Sequence, residues 1–392
     1  MGNERFDRDR LAAEAIELAG SDDFGAPTWQ EGLDVLLDGL ANEAQLSDLG
    51  VEVAAMGVTD YLTTRLGITA YRAAHPEVAE GPVDHPIFIV GQPRTGTTIL
   101  YDLLALDPAL RAPLTWEVDK PCPPPETDTR DTDPRIDEVD AILSMADALM
   151  PGFTTFHPMG ARLAQECVRI TGGDFRSMIF PVQYRVPTYN RWLLHDADMA
   201  PAYRWHRQFL QHLQARDPAP QWLLKSPAHL WHLDALAAEY PDAVIVQTHR
   251  DPLKVITSVS ALSAHLRKMA SDDVDLTEIA GEYAEDIFDG LDRGMDARAR
   301  GVVPPERIVD VHFQAFIADP IETVREIYVA LGRDLDDLTA QRMRDFLAAN
   351  PGDGGGGGSR YRFADTGLDA GALRARAERY QDHFGVATEA LV

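Results

Sequence analysis

The stretch Ile87-Phe-Ile-Val-Gly-Gln-Pro-Arg-Thr-Gly-Thr-Thr98 joins an apolar run to a loop bounded by Gly91 and Gly96, and then to a helix. That order suits an anion: backbone N–H groups of a glycine-bounded loop and the positive end of a helix converge on the same point. An NTPase loop would place Lys and Ser/Thr after the second glycine, to reach the terminal phosphate and a Mg²⁺ ion. Here Thr97 and Thr98 follow Gly96, and the cation, Arg94, sits inside the loop. The spacing therefore predicts a site for a phosphate-like group held by Arg94, the Thr97 and Thr98 hydroxyls and backbone amides, with no obligatory metal. A second anion site is predicted at Ala243-Val-Ile-Val-Gln-Thr-His-Arg-Asp-Pro252, where a strand ends in Arg250 and Asp251-Pro252 opens a helix. Ser258, about two turns into that helix, faces the same loop. The planar guanidinium fork of Arg250 matches a phosphate.

A third feature is Trp222-Leu-Leu-Lys-Ser-Pro-Ala-His229. Only four lysines occur in the chain, so one at a strand's carboxyl end, where ligands of parallel sheets bind, points to function for Lys225. Ser226 is placed to cap a helix whose first position is Pro227. His229, on its first turn, is read equally well as a structural or a functional histidine.

The elements that must position these residues follow from the hydrophobic pattern. Helices are expected over 7–19, over 28–40 with a capping box from Thr28 to Glu31, and over 47–74. Strands are expected at Ile87–Val90, Trp222–Leu224, Ala243–Val246 and Ile308–Val311, separated by helices. This is an α/β pattern: a mostly parallel central sheet with helices on both faces. Residues 1–80 are read as an N-terminal helical region packed on the core and 81–392 as the α/β domain. About 130 residues separate the first two strands. Within them, 120–215 forms a helical insertion, with helices over 136–149, 161–171 and 201–214, and an aromatic middle (Phe153, Phe156, Phe175, Phe180, Tyr184, Tyr189, Trp192). Most of those aromatics are expected in the core, and the insertion is expected to form an acceptor pocket. Gly354–Gly358 reads as a flexible linker.

With 36 Lys and Arg against 63 Asp and Glu, the formal net charge is −27, which disfavours nucleic acid and anionic membranes as partners. Apolar residues make up 45%, enough for a core, so disorder over most of the length is excluded. The two cysteines, Cys122 and Cys167, imply neither a disulfide framework nor a cysteine zinc site. No apolar run approaches the roughly 18 residues of a membrane span, and the opening residues lack a secretory pattern, so a cytoplasmic protein is expected.

Together, Gly91-x-Pro-Arg-x-Gly-Thr-Thr98, Leu-Lys225-Ser-Pro-x-His229 and Thr-His-Arg250-Asp-Pro with Ser258 resemble the bacterial sulfotransferases that use 3′-phosphoadenosine 5′-phosphosulfate. The resemblance extends to Asp23-Phe-Gly25, Trp29-Gln-Glu-Gly-Leu33, Arg360-Tyr361 and Gly367-Leu368. It implies the P-loop NTPase-like sulfotransferase fold. It also implies that Arg94, Thr95, Gly96, Thr97 and Thr98 bind the 5′-phosphosulfate, and that Arg250 and Ser258 bind the 3′-phosphate. Ser359 and Arg360, after the glycine run, fall where relatives close a loop over the nucleotide. Lys225 stands where similar tyrosylprotein sulfotransferases carry a lysine that neutralises the leaving oxygen, with Arg94 sharing that load. Glu117, in Leu114-Thr-Trp-Glu117, lies near the interval of their catalytic glutamate; Glu166, His157 and His229 are rivals for the general base.

The expected reaction is transfer of a sulfuryl group to a hydroxyl of a small-molecule or lipid-like acceptor. One alternative is a Mg-ATP-dependent P-loop kinase or NTPase, against which the missing loop lysine argues. Another is a non-catalytic nucleotide-binding protein of the same fold, which would be indifferent to loss of Lys225 or Glu117.

Overall fold

Ile87–Gly91 is β-branched or aromatic up to its closing glycine and buried at every position, the pattern of a strand covered on both faces. The structure, a computed structural model, describes residues 2–149, 160–350 and 362–391. In it, Ile87–Gly91 (β1), Leu223–Lys225 (β2), Val244–His249 (β3) and Ile308–His312 (β4) form one parallel sheet in the order β2-β1-β3-β4. The expected α/β class and all four expected strands are present. Ile89 lies opposite Lys225, Gly91 opposite Thr248, and His249 opposite His312, so all strands deliver their carboxyl ends to one edge. From that edge the chain enters the helix Thr97–Leu104 after β1, the 3₁₀ turn Pro227–His232 after β2, the helix Pro252–Arg267 after β3 and the helix Phe313–Ala318 after β4.

The described residues fall into two compact units. One holds the sheet and comprises Asp84–Ala112, Pro220–Ala264 and Asp275–Val392. The other is helical and comprises Met1–Val83, Pro113–Ala219 and His265–Val274. Within the helical unit, Asp174 is fully buried and accepts hydrogen bonds from Thr28 Oγ1 at 2.6 Å, Arg176 Nη1 at 2.9 Å and Arg65 Nη1 at 3.2 Å. Arg65 also donates to the carbonyls of Phe24, Ala26 and Gly173, and its guanidinium lies 4.6 Å from the Trp205 ring centre. Burial pulls Arg65 below the ordinary arginine range, against the opposing pull of Asp174.

This cluster explains one departure from expectation. The helix Trp29–Asn42 forms, but without the capping box, because the Thr28 hydroxyl is given to Asp174 and Glu31 binds Arg176 at 2.6 Å. The expected helix over 161–171 is a second departure, since only Cys167–Thr171 is helical. Thr115 donates to the Leu163 carbonyl at 2.9 Å and Trp116 to that of Ala161 at 3.0 Å, so long-range pairing claims the backbone a helix would need. The helices Arg135–Leu149 and Ala200–Leu213 match their predicted ranges closely. The aromatic middle adds the helices Ile179–Gln183 and Pro187–His195. Phe175, Phe180, Tyr184 and Tyr189 are buried there, in keeping with a core role. Phe153 and Phe156 lie outside the described residues.

Candidate active site

The loop after β1 is shaped by two residues with positive φ on either side of Thr95: Arg94 at 66° and Gly96 at 86°. Alternation of this kind turns successive backbone N–H groups toward a common point, and the first N–H groups of the helix Thr97–Leu104 add donors that no helical carbonyl can satisfy. A left-handed arginine is uncommon, and such strain concentrates at ligand clamps. Gly91, at φ 133°, has no room for a side chain: a Cβ there would stand 2.4 Å from Thr248 Oγ1 and 2.6 Å from the Thr248 carbonyl. This close approach lets β3 brace the loop. Thr95 donates to the Gln92 carbonyl at 2.6 Å and meets the Thr248 hydroxyl at 2.6 Å, while Gln92 Nε2 donates to the Ile287 carbonyl at 2.9 Å.

At the end of β2, Lys225 is 1% exposed. Its Nζ donates to Thr98 Oγ1 at 3.3 Å and lies 5.7 Å from the Tyr101 ring centre. The lysine and the twin-threonine turn are thus brought together, as their positions on adjacent strands require. Ser226 caps the following turn through the Ala228 N–H at 3.1 Å, with Pro227 next in line. His229 is buried, its ring edge-on to Phe88 at 5.1 Å, so it packs against β1.

At the end of β3, the two arginines meet. Arg250 Nη1 donates to the Arg94 carbonyl at 2.8 Å, and Arg94 Nε donates to Ser258 Oγ at 3.1 Å. Arg250 lies over the Phe313 ring, its Cζ 3.9 Å from the ring centre, and forms a two-pronged pair with Glu389 at 2.9 and 3.1 Å. Its neighbour Asp251 is fully buried and accepts from the Leu253 N–H at 2.9 Å, from Arg374 Nη1 at 2.7 Å on both oxygens, and from the Glu389 N–H at 2.6 Å. On the other side, His249 bonds Tyr380 and Asp310, both at 2.8 Å. Burial pulls His249 down; burial would raise Asp310, yet hydrogen bonds from Arg298 and His249 hold it well below the usual carboxylate range.

Glu117 belongs to the helical unit. It is fully buried in the short helix Thr115–Asp119, where Oε2 accepts the Leu114 N–H at 2.8 Å and Oε1 accepts Arg130 Nε at 2.9 Å. Glu166 sits at the start of Cys167–Thr171 without a side-chain cap bond. His157, Ser359, Arg360 and the glycine run lie outside the described residues. The helical unit also contains a cavity of about 370 Å³ walled by Phe24, Pro76 and Trp205 and edged by Arg65, Arg72 and Arg204.

The sulfotransferase family pattern matches residues 86–337, a span that holds all four strands, the loop 91–98, Lys225 and Arg250. The chain belongs to the sulfotransferase family. This sulfotransferase is 30% identical to the crystal structure of sulfotransferase STF9 from Mycobacterium avium, with a TM-score of 0.88 and 97% of each chain covered. It is 33% identical to that of STF1 from Mycobacterium tuberculosis, with a TM-score of 0.83, covering 96% of this chain and 98% of that one. Over 281 residues it is 28% identical to the omega-hydroxy-beta-dihydromenaquinone-9 sulfotransferase Stf3 of Mycobacterium tuberculosis, 68% of this chain and 67% of that protein. The enzyme class expected from the motifs is therefore established, and the family implies 3′-phosphoadenosine 5′-phosphosulfate as co-substrate. No helix among the described residues is long and apolar enough to cross a membrane.

The motifs left several residues of this site unmarked. Thr248, a polar residue near the end of an apolar strand, could have been singled out on that ground. Phe313 follows β4 where the other strands carry function. Asp251 reads from the sequence only as a helix opener, and nothing local marks Arg374 or Glu389.

Proposed function

We propose that this sulfotransferase moves the sulfuryl group of 3′-phosphoadenosine 5′-phosphosulfate to a hydroxyl of a small-molecule or lipid-like acceptor. The observation that carries the reading is the convergence of Arg94, Arg250, Lys225, Thr98 and Ser258 through direct contacts at one edge of a parallel sheet, in a chain of net charge −27. The donor set fits a nucleotide with two anionic ends. The amides of 95–98, the hydroxyls of Thr97 and Thr98 and Lys225 Nζ suit the 5′ end. Arg250 and Ser258 suit the 3′-phosphate, and Arg94, whose Nε already rests on Ser258, links the two.

When bound, the nucleotide supplies the sulfuryl group. The acceptor oxygen forms a bond to sulfur as the bond from sulfur to the bridging phosphate oxygen breaks, and the electron pair stays on that oxygen. Lys225, already ordered and out of water, neutralises it there; such fixed donors act without reorganising as charge develops. The family resemblance alone gives Glu117 the role of taking the acceptor proton. The cationic side chains carry this charge-neutralising part, so transfer is expected to proceed in EDTA. Support for a lipid-like acceptor comes from the relative whose name gives a hydroxylated menaquinone as what it acts on. A cytoplasmic location belongs to the same reading, in keeping with a chain that carries two cysteines, Cys122 and Cys167.

The test is incubation with sulfur-35-labelled nucleotide, EDTA and a panel of long-chain alcohols and phenols, alongside melting with 3′-phosphoadenosine 5′-phosphate. Labelled sulfate esters and a raised melting temperature are expected. No transfer to any acceptor together with no thermal response overturns the reading.

A further inference from the structure

Resting on that reading, we infer that Glu389 is a built-in counter-anion of Arg250, exchanged for the 3′-phosphate when the nucleotide binds, and that it thereby sets the affinity for 3′-phosphorylated nucleotides. The two-pronged geometry, Nε to Oε1 at 2.9 Å and Nη2 to Oε2 at 3.1 Å, is the one a guanidinium offers a phosphate. The pair is largely out of water, with the arginine side chain 15% and the glutamate 14% exposed. A phosphate dianion brought to the same edge of Arg250 would meet the carboxylate's like charge in a poorly screened place, so the two anions exclude one another.

The structure supplies the means of exchange. The Glu389 backbone is held independently of its carboxylate: its N–H donates to Asp251 at 2.6 Å and its carbonyl accepts from Arg374 Nη2 at 3.0 Å. Upstream, Gln381 Nε2 donates to the Val386 carbonyl and the Thr388 hydroxyl, both at 3.2 Å, which fixes the turn that leads to Glu389. Rotation about the side-chain bonds of Glu389 therefore frees Arg250 without moving the tail. Arg250 keeps its place as the carboxylate leaves, because its Cζ rests 3.9 Å from the centre of the Phe313 ring and the Arg94 carbonyl holds Nη1. A fixed buttress that merely orients Arg250 would have the opposite sign, since its loss would weaken nucleotide binding.

The experiment is calorimetric titration of the full chain with 3′-phosphoadenosine 5′-phosphate and with 5′-AMP, using the wild type, Glu389→Gln, Glu389→Asp and Arg250→Ala. Asp is included because it keeps the charge but is too short to span the pair from a fixed backbone. Both Glu389 variants are expected to bind the 3′-phosphorylated nucleotide on the order of tenfold more tightly and 5′-AMP unchanged, since only the former must displace the carboxylate. Equal or weaker binding by both Glu389 variants, with the wild type preferring the 3′-phosphorylated nucleotide and Arg250→Ala abolishing that preference, overturns the inference alone. A wild type without that preference, or an Arg250→Ala variant that retains it, overturns the donor-site reading and the inference with it.

Discussion

Replacing Lys225 by methionine removes one positive charge and little else. The methionine side chain is of similar length and apolar, so it fills the slot beside Tyr101 that a 1% exposed lysine occupies, while the ammonium is lost together with its 3.3 Å bond to Thr98. A unit charge about 4 Å from the developing negative charge, at an effective dielectric near 20, contributes about 4 kcal/mol. Removal of one preorganised donor in other active sites costs about 3–4 kcal/mol, a factor of roughly 10² to 10³ in rate. The two routes agree, so the single-turnover rate constant for sulfuryl transfer should fall 10²- to 10³-fold. The dissociation constant of 3′-phosphoadenosine 5′-phosphate should rise less than about tenfold, because Arg94, Arg250 and the loop amides remain. Rapid-quench assay with labelled nucleotide gives the first quantity and calorimetry the second; melting checks the fold, which a buried lysine-to-methionine change leaves intact. A rate reduced less than threefold, or a rate loss fully matched by the loss of binding, refutes a leaving-group role for Lys225.

Two further outcomes are expected. Glu117→Gln keeps the shape that accepts the Leu114 N–H but is a far weaker base, so the transfer rate should fall by roughly 10² or more while nucleotide affinity holds; a lowered melting temperature from the weakened Arg130 contact with an unchanged rate would assign Glu117 to structure alone. Stability should also decline as the pH falls below about 6.5. Burial holds His206 and His232 down to about 3 and His212 to about 4, so each favours the native state fully above its unfolded value and loses that contribution on acidification, about 2 kcal/mol apiece by pH 5. Denaturant titrations at pH 7.5 and 5 measure this, and equal unfolding free energies at the two values would refute it.

What could be read from the sequence was local. Ile87–Thr98 declares itself because strand, glycine turn and helix start are contiguous, and Lys225 and Arg250 stand out because each closes an apolar run. The fold class follows from the same alternation of runs and helices. Whatever depended on distant partners stayed hidden. Thr28 and Glu31 have the letters of a capping box, yet their side chains belong to Asp174 and Arg176, about 145 residues away. Residues 161–166 carry no mark of the extended pairing that the chain near Leu114 imposes on them. Glu389 is one acidic residue among 63, and only the folded chain shows that it answers Arg250.

The Asp174 cluster has a practical consequence for anyone trimming this protein. The span shared with the family begins at residue 86, after Thr28 and Arg65. A fragment started there would keep Asp174 and Arg176 but discard two of the three donors around a fully buried carboxylate, and it would uncover one face of Trp205. An imbalance of that kind costs about 3–5 kcal/mol, a large share of what holds an ordinary domain together. The leading helices are therefore an internal component of the body they belong to, and shortened versions should retain them.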